Sequence, residues 1–194
     1  MPIRLVLGLG NPGERYAGTR HNVGFMLVAR AADASGAALK GFERLGEYVR
    51  APAGGGDELY WARPLTYMNE SGRMARRFSE YFGIAPAEML VCYDEFQLPL
   101  GRLRLRPRGS AGGHNGMQSV VDHLGTTDVP RLRIGIGPLP PGRDPADFVL
   151  SRFASQDRPA LERALEAALD AVVQSRARGI EAAMSAFNAE PEAP

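Results

Sequence analysis

Near its start the chain reads Ile3-Arg4-Leu5-Val6-Leu7-Gly8-Leu9-Gly10-Asn11-Pro12-Gly13, and the fold turns on how this stretch is read. Ile3 to Leu9 is mostly apolar on both faces, which predicts a buried β-strand, and Gly10-Asn11-Pro12-Gly13 ends it with turn chemistry. Gly8, Gly10 and Gly13 also satisfy the dinucleotide fingerprint G-x-G-x-x-G, and Asp33 lies farther on, about where that fingerprint places its ribose-binding acid. The fingerprint needs a helix to open within the motif, so that its N-terminal amides meet the pyrophosphate. Pro12-Gly13 and the polar run to Arg20 delay the helix, and Asp33 falls inside that helix rather than after a second strand. A loop leaving a sheet is therefore expected here, with a dinucleotide-dependent oxidoreductase as the outside reading.

Beyond the loop, Asn22 is a candidate N-cap for a helix carrying Phe25, Met26, Val28, Ala29 and Ala32, which stops near Ser35-Gly36. Tyr48-Val49-Arg50 and Leu59-Tyr60-Trp61-Ala62 predict a strand pair across Gly54-Gly55-Gly56-Asp57. A second helix holds Met74, Phe78, Tyr81 and Phe82 on one side and ends at Gly83. Met89 to Tyr93 is an apolar run of strand length with Asp94-Glu95 at its C-terminal end, where open α/β sheets place their chemistry. Arg102 to Arg106 alternates arginine with Leu103 and Leu105, a half-exposed strand with its arginines on one face. A helix with Met117, Val120, Val121 and Leu124 leads to a strand over Leu132 to Ile136.

Pro138 to Pro145 is too rich in proline and glycine for regular structure and predicts a surface loop or lid, followed by a helix carrying Phe148, Val149 and Phe153. Leu161, Ala164, Leu165, Ala168, Leu169, Val172 and Val173 follow helical spacing as a core-facing stripe. Gly179 breaks that helix before a last short one around Met184 and Phe187. Strands alternating with helices indicate a single α/β/α domain, a mixed twisted sheet with helices on both faces, over residues 1–189, and residues 190–194 are expected to be a disordered tail.

The 194 residues, 44% hydrophobic and 23% charged, suit one globular core. No apolar run reaches membrane-spanning length and the opening residues lack a signal-peptide pattern, so a cytoplasmic protein is expected. Cys92 is the only cysteine, which excludes an internal disulfide, and its apolar strand neighbours predict an inert thiol. A net charge of +1 argues weakly for a nucleic-acid partner, but distribution counts for more. Arg102, Arg104, Arg106, Arg108, Arg131 and Arg133 crowd together, and arginine forks suit phosphate; a merely solubilising sheet face is the alternative.

His21 follows Arg20 in a polar, glycine-punctuated loop, where a neutral imidazole could take a proton from water; it could equally be a solvated or hydrogen-bonded loop residue. Asp94, emerging from a buried strand, is the kind of carboxylate that fixes an imidazole tautomer, although sequence does not show contact. Asn11, Asn69 and Asn115 lie in turns and could donate to an oxyanion and accept from an amide; Asn69 and Asn115 could instead cap helices. Ser110-Ala111-Gly112-Gly113 is not a nucleophile elbow. His21, His114 and Asp94 could converge on zinc, but no paired-histidine motif or second cysteine supports it, so neither metal nor other cofactor is expected.

With these residues in view, the chain resembles the bacterial peptidyl-tRNA hydrolase family from the first strand to about Phe187. The resemblance rests on Gly8-Leu9-Gly10-Asn11-Pro12-Gly13 with Tyr16, Thr19-Arg20-His21-Asn22-Val23-Gly24, and Pro64-Leu65-Thr66-Tyr67-Met68-Asn69-Glu70-Ser71-Gly72. It continues through Asp94-Glu95 with Leu98-Pro99, Gly112-Gly113-His114-Asn115-Gly116, and Arg131 to Gly137. It implies a monomeric α/β/α enzyme that cuts the ester between a peptide and the 3′-terminal ribose of tRNA, recycling tRNA from aborted translation without a cofactor. By position, His21 would be the base and Asp94 its partner. Asn11, Asn69 and Asn115 would hold the peptide and terminal nucleotide, with Tyr16, Tyr67 and Met68 shaping the cleft. Arg104 and Arg106, where the family commonly has lysines, would grip the acceptor stem with Arg133, and His114 would be structural or line the tRNA groove. Gln97 departs from the family pattern, which usually has aspartate there. Some plant organellar relatives are splicing factors that bind RNA without hydrolysis; the intact His21, Asp94 and asparagine set favours the enzyme.

Overall fold

The first apolar run forms β1 (Leu5–Gly8), buried throughout, at the centre of the sheet in the computed structural model, which describes residues 2–52 and 58–189. Parallel to it lie β4 (Glu58–Pro64) on one side and β5 (Met89–Pro99) on the other, with β7 (Arg131–Gly137) parallel beyond β5. Antiparallel β3 (Gly46–Pro52) and β2 (Lys40–Phe42) extend one flank, and antiparallel β6 (Leu103–Arg106) closes the other. Among the described residues this makes a 7-stranded mixed sheet of order β2-β3-β4-β1-β5-β7-β6.

Parallel central strands are covered on both faces, which is why they read as continuous apolar runs rather than as alternation. Val6, Leu90, Cys92 and Leu132 pack with α1 (Val23–Ser35), α5 (Arg158–Arg178) and α6 (Ile180–Phe187). Leu5, Leu7, Met89, Val91 and Tyr93 pack with α2 (Ser71–Phe82) and α3 (Asn115–Leu124).

The glycine motif serves packing. A side chain at Gly24, in the first turn of α1, would stand 2.5 Å from both the Cys92 carbonyl oxygen and the Leu9 nitrogen. At Gly10 it would stand 2.5 Å from the Phe25 ring. Close helix-on-sheet approach requires those glycines, while α1 opens only at Val23, after two 3₁₀ turns over Glu14–Tyr16 and Arg20–Asn22. Asp33 is exposed inside α1, so the dinucleotide geometry is not built.

Several expectations change. β5 does not end at Tyr93 but runs on to Pro99, so Asp94 lies within a strand, opposite Ile134 of β7, rather than beyond its end. Asn22 precedes α1 but makes no side-chain cap, because its amide is committed elsewhere. The helix after the proline-rich loop, α4 (Pro145–Val149), stops before Phe153, since the chain turns there to pair with the β1 loop: the Arg20 amide donates to the Ser151 carbonyl and Thr19 bridges Arg152. Val173 is 55% exposed at the margin of the α5 stripe. The short, largely exposed β2 carries too weak an apolar pattern to have been anticipated. The expected turn at Gly54 to Asp57 and the tail from Glu190 lie outside the described residues.

Candidate active site

β5 carries Asp94 to the edge of the cleft, where it is 3% exposed, and the loop after β1 brings Asn11 and His21 over it. His21 Nδ1 lies 2.8 Å from Asp94 Oδ1. His114, from the turn before α3, places Nε2 3.0 Å from the same oxygen. The tautomers follow from the partners. His114 Nδ1 accepts the Met117 amide N–H at 3.2 Å, capping α3, so the ring proton of the neutral side chain sits on Nε2 and is donated to Asp94. An ionised Asp94 likewise takes its second donor from Nδ1–H of His21, leaving His21 Nε2 with a lone pair on the cleft wall.

Burial alone would push the Asp94 carboxyl up, but the charge and hydrogen bond of His114, then those of His21, outweigh it and hold it well below the ordinary carboxylate range. Asp94 is therefore a fixed anion under two imidazoles whose ring centres are 5.2 Å apart. The Tyr93 ring packs against the second imidazole, its centre 4.5 Å from that of His114.

Asn11 is locked from both sides. Its backbone N–H donates to Asn22 Oδ1 at 2.8 Å, and Asn22 Nδ2 donates back to the Asn11 carbonyl at 2.9 Å. Asn11 Oδ1 accepts the Met68 amide at 2.8 Å. One lone pair of its oxygen is thus taken by main chain, which fixes the side-chain amide and leaves the Nδ2 donors for a ligand. Asn69, in the 3₁₀ turn Met68–Glu70, and Asn115, the first residue of α3, both line the cleft. Neither caps a helix; His114 caps α3 in place of Asn115.

The cleft, of about 520 Å³, brings together Asn11, His21, Tyr67, Met68, Asn69, Asp94 and Asn115. Helix α4 and Leu150 form its far wall, and Tyr67, 55% exposed, stands at the rim. Tyr16 is not brought in: its hydroxyl accepts from Arg15 at 2.6 Å, and the Arg15 guanidinium lies over its ring. Gln97 is exposed, and its backbone N–H is held by the Glu95 carboxylate at 3.0 Å, so this departure from the family pattern leaves the His21–Asp94 contact untouched.

The arginines separate into two roles. Arg104 faces Arg133 across the β6–β7 ladder, and Arg106 faces Arg131. Arg131 is 2% exposed, and its donors all go to carbonyls of Gly109, Ser110, Thr127 and Val129. It ties two loops together and is unavailable to phosphate, a correction to its place in the basic cluster. Arg106 is exposed and Arg104 partly so, whereas Arg133 pairs with Glu95 at 2.9 Å. None of these three lines the cleft, but Glu95 and Gly112, both cleft residues, abut Arg133, so the basic strand begins where the cleft ends.

His21, Asp94 and His114 do converge, with candidate ligating atoms within 4.8 Å of one another. The hydrogen-bond directions suit protons rather than a cation. A metal at His114 Nε2 would displace its proton while Nδ1 remains an acceptor, leaving an imidazolate.

An anionic carboxylate holding a loop imidazole at the C-terminal edge of an open α/β sheet, beside a set of asparagine amides, is the kind of site that a hydrolase uses. Similarity narrows the class. The family model described as Peptidyl-tRNA hydrolase matches residues 5–194. Peptidyl-tRNA hydrolase of Elusimicrobium minutum is 47% identical over 186 residues, covering 96% of this chain and 99% of the relative. That of Symbiobacterium thermophilum is 48% identical over 187 residues, covering 95% and 98%. The crystal structure of peptidyl-tRNA hydrolase from Acinetobacter baumannii superposes with a TM-score of 0.88 at 37% identity, covering 98% of this chain and 97% of that one. The chain belongs to the peptidyl-tRNA hydrolase family.

Proposed function

We propose that His21, held by Asp94, is the base with which this enzyme hydrolyses peptidyl-tRNA. The observation that carries the reading is the 2.8 Å contact between His21 Nδ1 and Asp94 Oδ1, which commits the proton to Nδ1 and frees Nε2 on the cleft wall. Nε2 takes a proton from water as the water oxygen attacks the ester carbonyl, and the imidazolium formed is stabilised by the Asp94 anion. The tetrahedral oxyanion accepts hydrogen bonds from asparagine amides. On collapse the ester C–O bond to the ribose breaks, and the ribose oxygen recovers the proton from His21. An ester is activated enough for a positioned water, one base and amide donors to suffice.

The Met68 amide fixes Asn11 with Oδ1 toward main chain, so Asn11 serves mainly as donor, and Asn69 and Asn115 offer both a donor and an acceptor to the peptide. A free aminoacyl-tRNA lacks the acyl carbonyl these donors would meet, and a buried donor left unpaired costs about 1–3 kcal/mol. Wild-type protein should therefore cleave N-acetyl-aminoacyl-tRNA and spare free aminoacyl-tRNA. Equal cleavage of the two would contradict the assignment of the asparagines.

Arg104, Arg106 and Arg133 are proposed to grip acceptor-stem phosphates, supported by their shared face beside the cleft. Arg104→Ala should weaken tRNA binding and lower the salt dependence by about one phosphate contact while sparing short ester substrates. Equal loss on both substrates would count against it. The enzyme is proposed to act as a cytoplasmic monomer without cofactor. No helix among the described residues is long and apolar enough to cross a membrane.

A further inference from the structure

Arg20, immediately before the proposed base, has surroundings that ordinary solubility does not explain. Its side chain is 13% exposed. The guanidinium lies over two aromatic rings, 4.9 Å from the centre of Phe148 and 4.7 Å from that of Phe153. Nη2 donates to Asp157 Oδ2 at 2.9 Å, and Nη1 reaches the Arg152 carbonyl at 3.4 Å. Nε is buried with no hydrogen-bond partner among the described residues, so the two ring contacts, the carboxylate and the long bond to the Arg152 carbonyl carry the contact. Asp157 is itself fixed, accepting the Ala154 amide through the same oxygen.

The segment that receives Arg20 also builds the cleft. Phe148 belongs to α4, whose Pro145, Ala146 and Val149 form the wall opposite the asparagines. The main chain repeats the connection, since the Arg20 amide donates to the Ser151 carbonyl at 2.9 Å. On its other side, the turn that holds His21 is clamped through Asn22 to Asn11. His21 is thus suspended between two anchors, one on the first strand's loop and one on the α4 wall.

We propose that Arg20 is a positioning residue for the hydrolysis: its guanidinium, clasped by Phe148, Phe153 and Asp157, fixes the α4 wall relative to His21 and sets the distance between base and bound ester. The inference rests on the reading of His21 as the base. Its energetic logic is that a base displaced by about 1 Å loses on the order of 100-fold in rate without losing the substrate. Lysine would keep the charge but not the planar face that two rings can clasp.

The test is steady-state kinetics on N-acetyl-aminoacyl-tRNA with Arg20→Gln, Arg20→Lys and Phe153→Leu, alone and combined, and with Arg20→Gln in a His21→Ala background. Thermal melts identify any variant that fails to fold, and Phe153→Leu, a milder change, then carries the comparison. Expected for Arg20→Gln and Phe153→Leu is a fall in kcat of about 10- to 100-fold, with KM within about twofold. Arg20→Lys should not restore it, and Arg20→Gln combined with Phe153→Leu should be little worse than either alone. Arg20→Gln should add nothing to the loss in His21→Ala. Wild-type kcat with only a lower melting temperature, or an equal fall in the His21→Ala background, would overturn the positioning role while leaving the base in place. Wild-type turnover by His21→Ala would overturn the base, and this inference with it.

Discussion

His21→Ala is expected to lower kcat on N-acylated aminoacyl-tRNA by about 10²- to 10⁴-fold, the usual worth of a positioned general base, with KM little changed. The substitution deletes the Nε2 lone pair of a cleft-lining imidazole, while the asparagines, the rim tyrosine and the basic strand remain to bind substrate. A fall in kcat without a matching rise in KM marks a group that acts in the transition state alone. Turnover near wild type would remove His21 from the mechanism. Removing this ring also takes one donor from Asp94, but His114 still donates to the same oxygen, so the fold should survive.

Asp94→Asn is expected to cost on the order of 10²- to 10⁴-fold in kcat, by the logic of carboxylate-held imidazoles. An amide presents one acceptor and one donor where two imidazole N–H groups now meet a single anionic oxygen. If the amide oxygen faces the rings, the imidazolium loses its counter-charge. If the amide nitrogen does, His21 must turn its lone pair inward and carry its proton on Nε2, where it can no longer act as a base. The same variant tests a stability effect. Burial would raise the Asp94 pKa, yet His114 and then His21 hold it below its usual range, and so below its unfolded value. A depressed folded pKa stabilises the fold above the unfolded value of about 3.9 and loses that contribution as pH falls through the folded one. The wild-type advantage in melting temperature over Asp94→Asn should therefore shrink in acid below about pH 4. An advantage independent of pH would mean that the carboxylate charge contributes nothing.

What could be read along the chain was set by local chemistry. The apolar runs of β1 and β5, the helical stripe of α5 and the alternation of β6 are periodic signals, and each became the element expected of it. His21 and Asp94 stood out singly, one in a polar loop and one on an apolar strand. Their contact, across 73 residues, was supplied by the fold. The harder losses were partner identities. Asn22 carries every mark of a helix cap, yet its amide closes a ring with Asn11 instead. His114 was a loop histidine of uncertain use until α3 and β5 met, and its hint was its place in a glycine turn directly before a helix. Arg131 reads as one more basic residue in a cluster, and only its burial among carbonyls distinguishes it from Arg133. Partners supplied by the fold leave no local pattern, which is why these three contacts were missed while the strands and helices beside them were not.

The proposed mechanism comes down to a proton position: Asp94 keeps His21 protonated on Nδ1 and His114 on Nε2, so that only His21 offers an imidazole lone pair at Nε2. Long-range ¹H–¹⁵N correlation of the histidine rings in the free enzyme, at a pH where both are neutral, reports this directly. Opposite tautomers are expected, Nδ1–H for His21 and Nε2–H for His114, with His21 losing its preference in Asp94→Asn. Observation of His21 as the Nε2–H tautomer in the wild-type enzyme would contradict it.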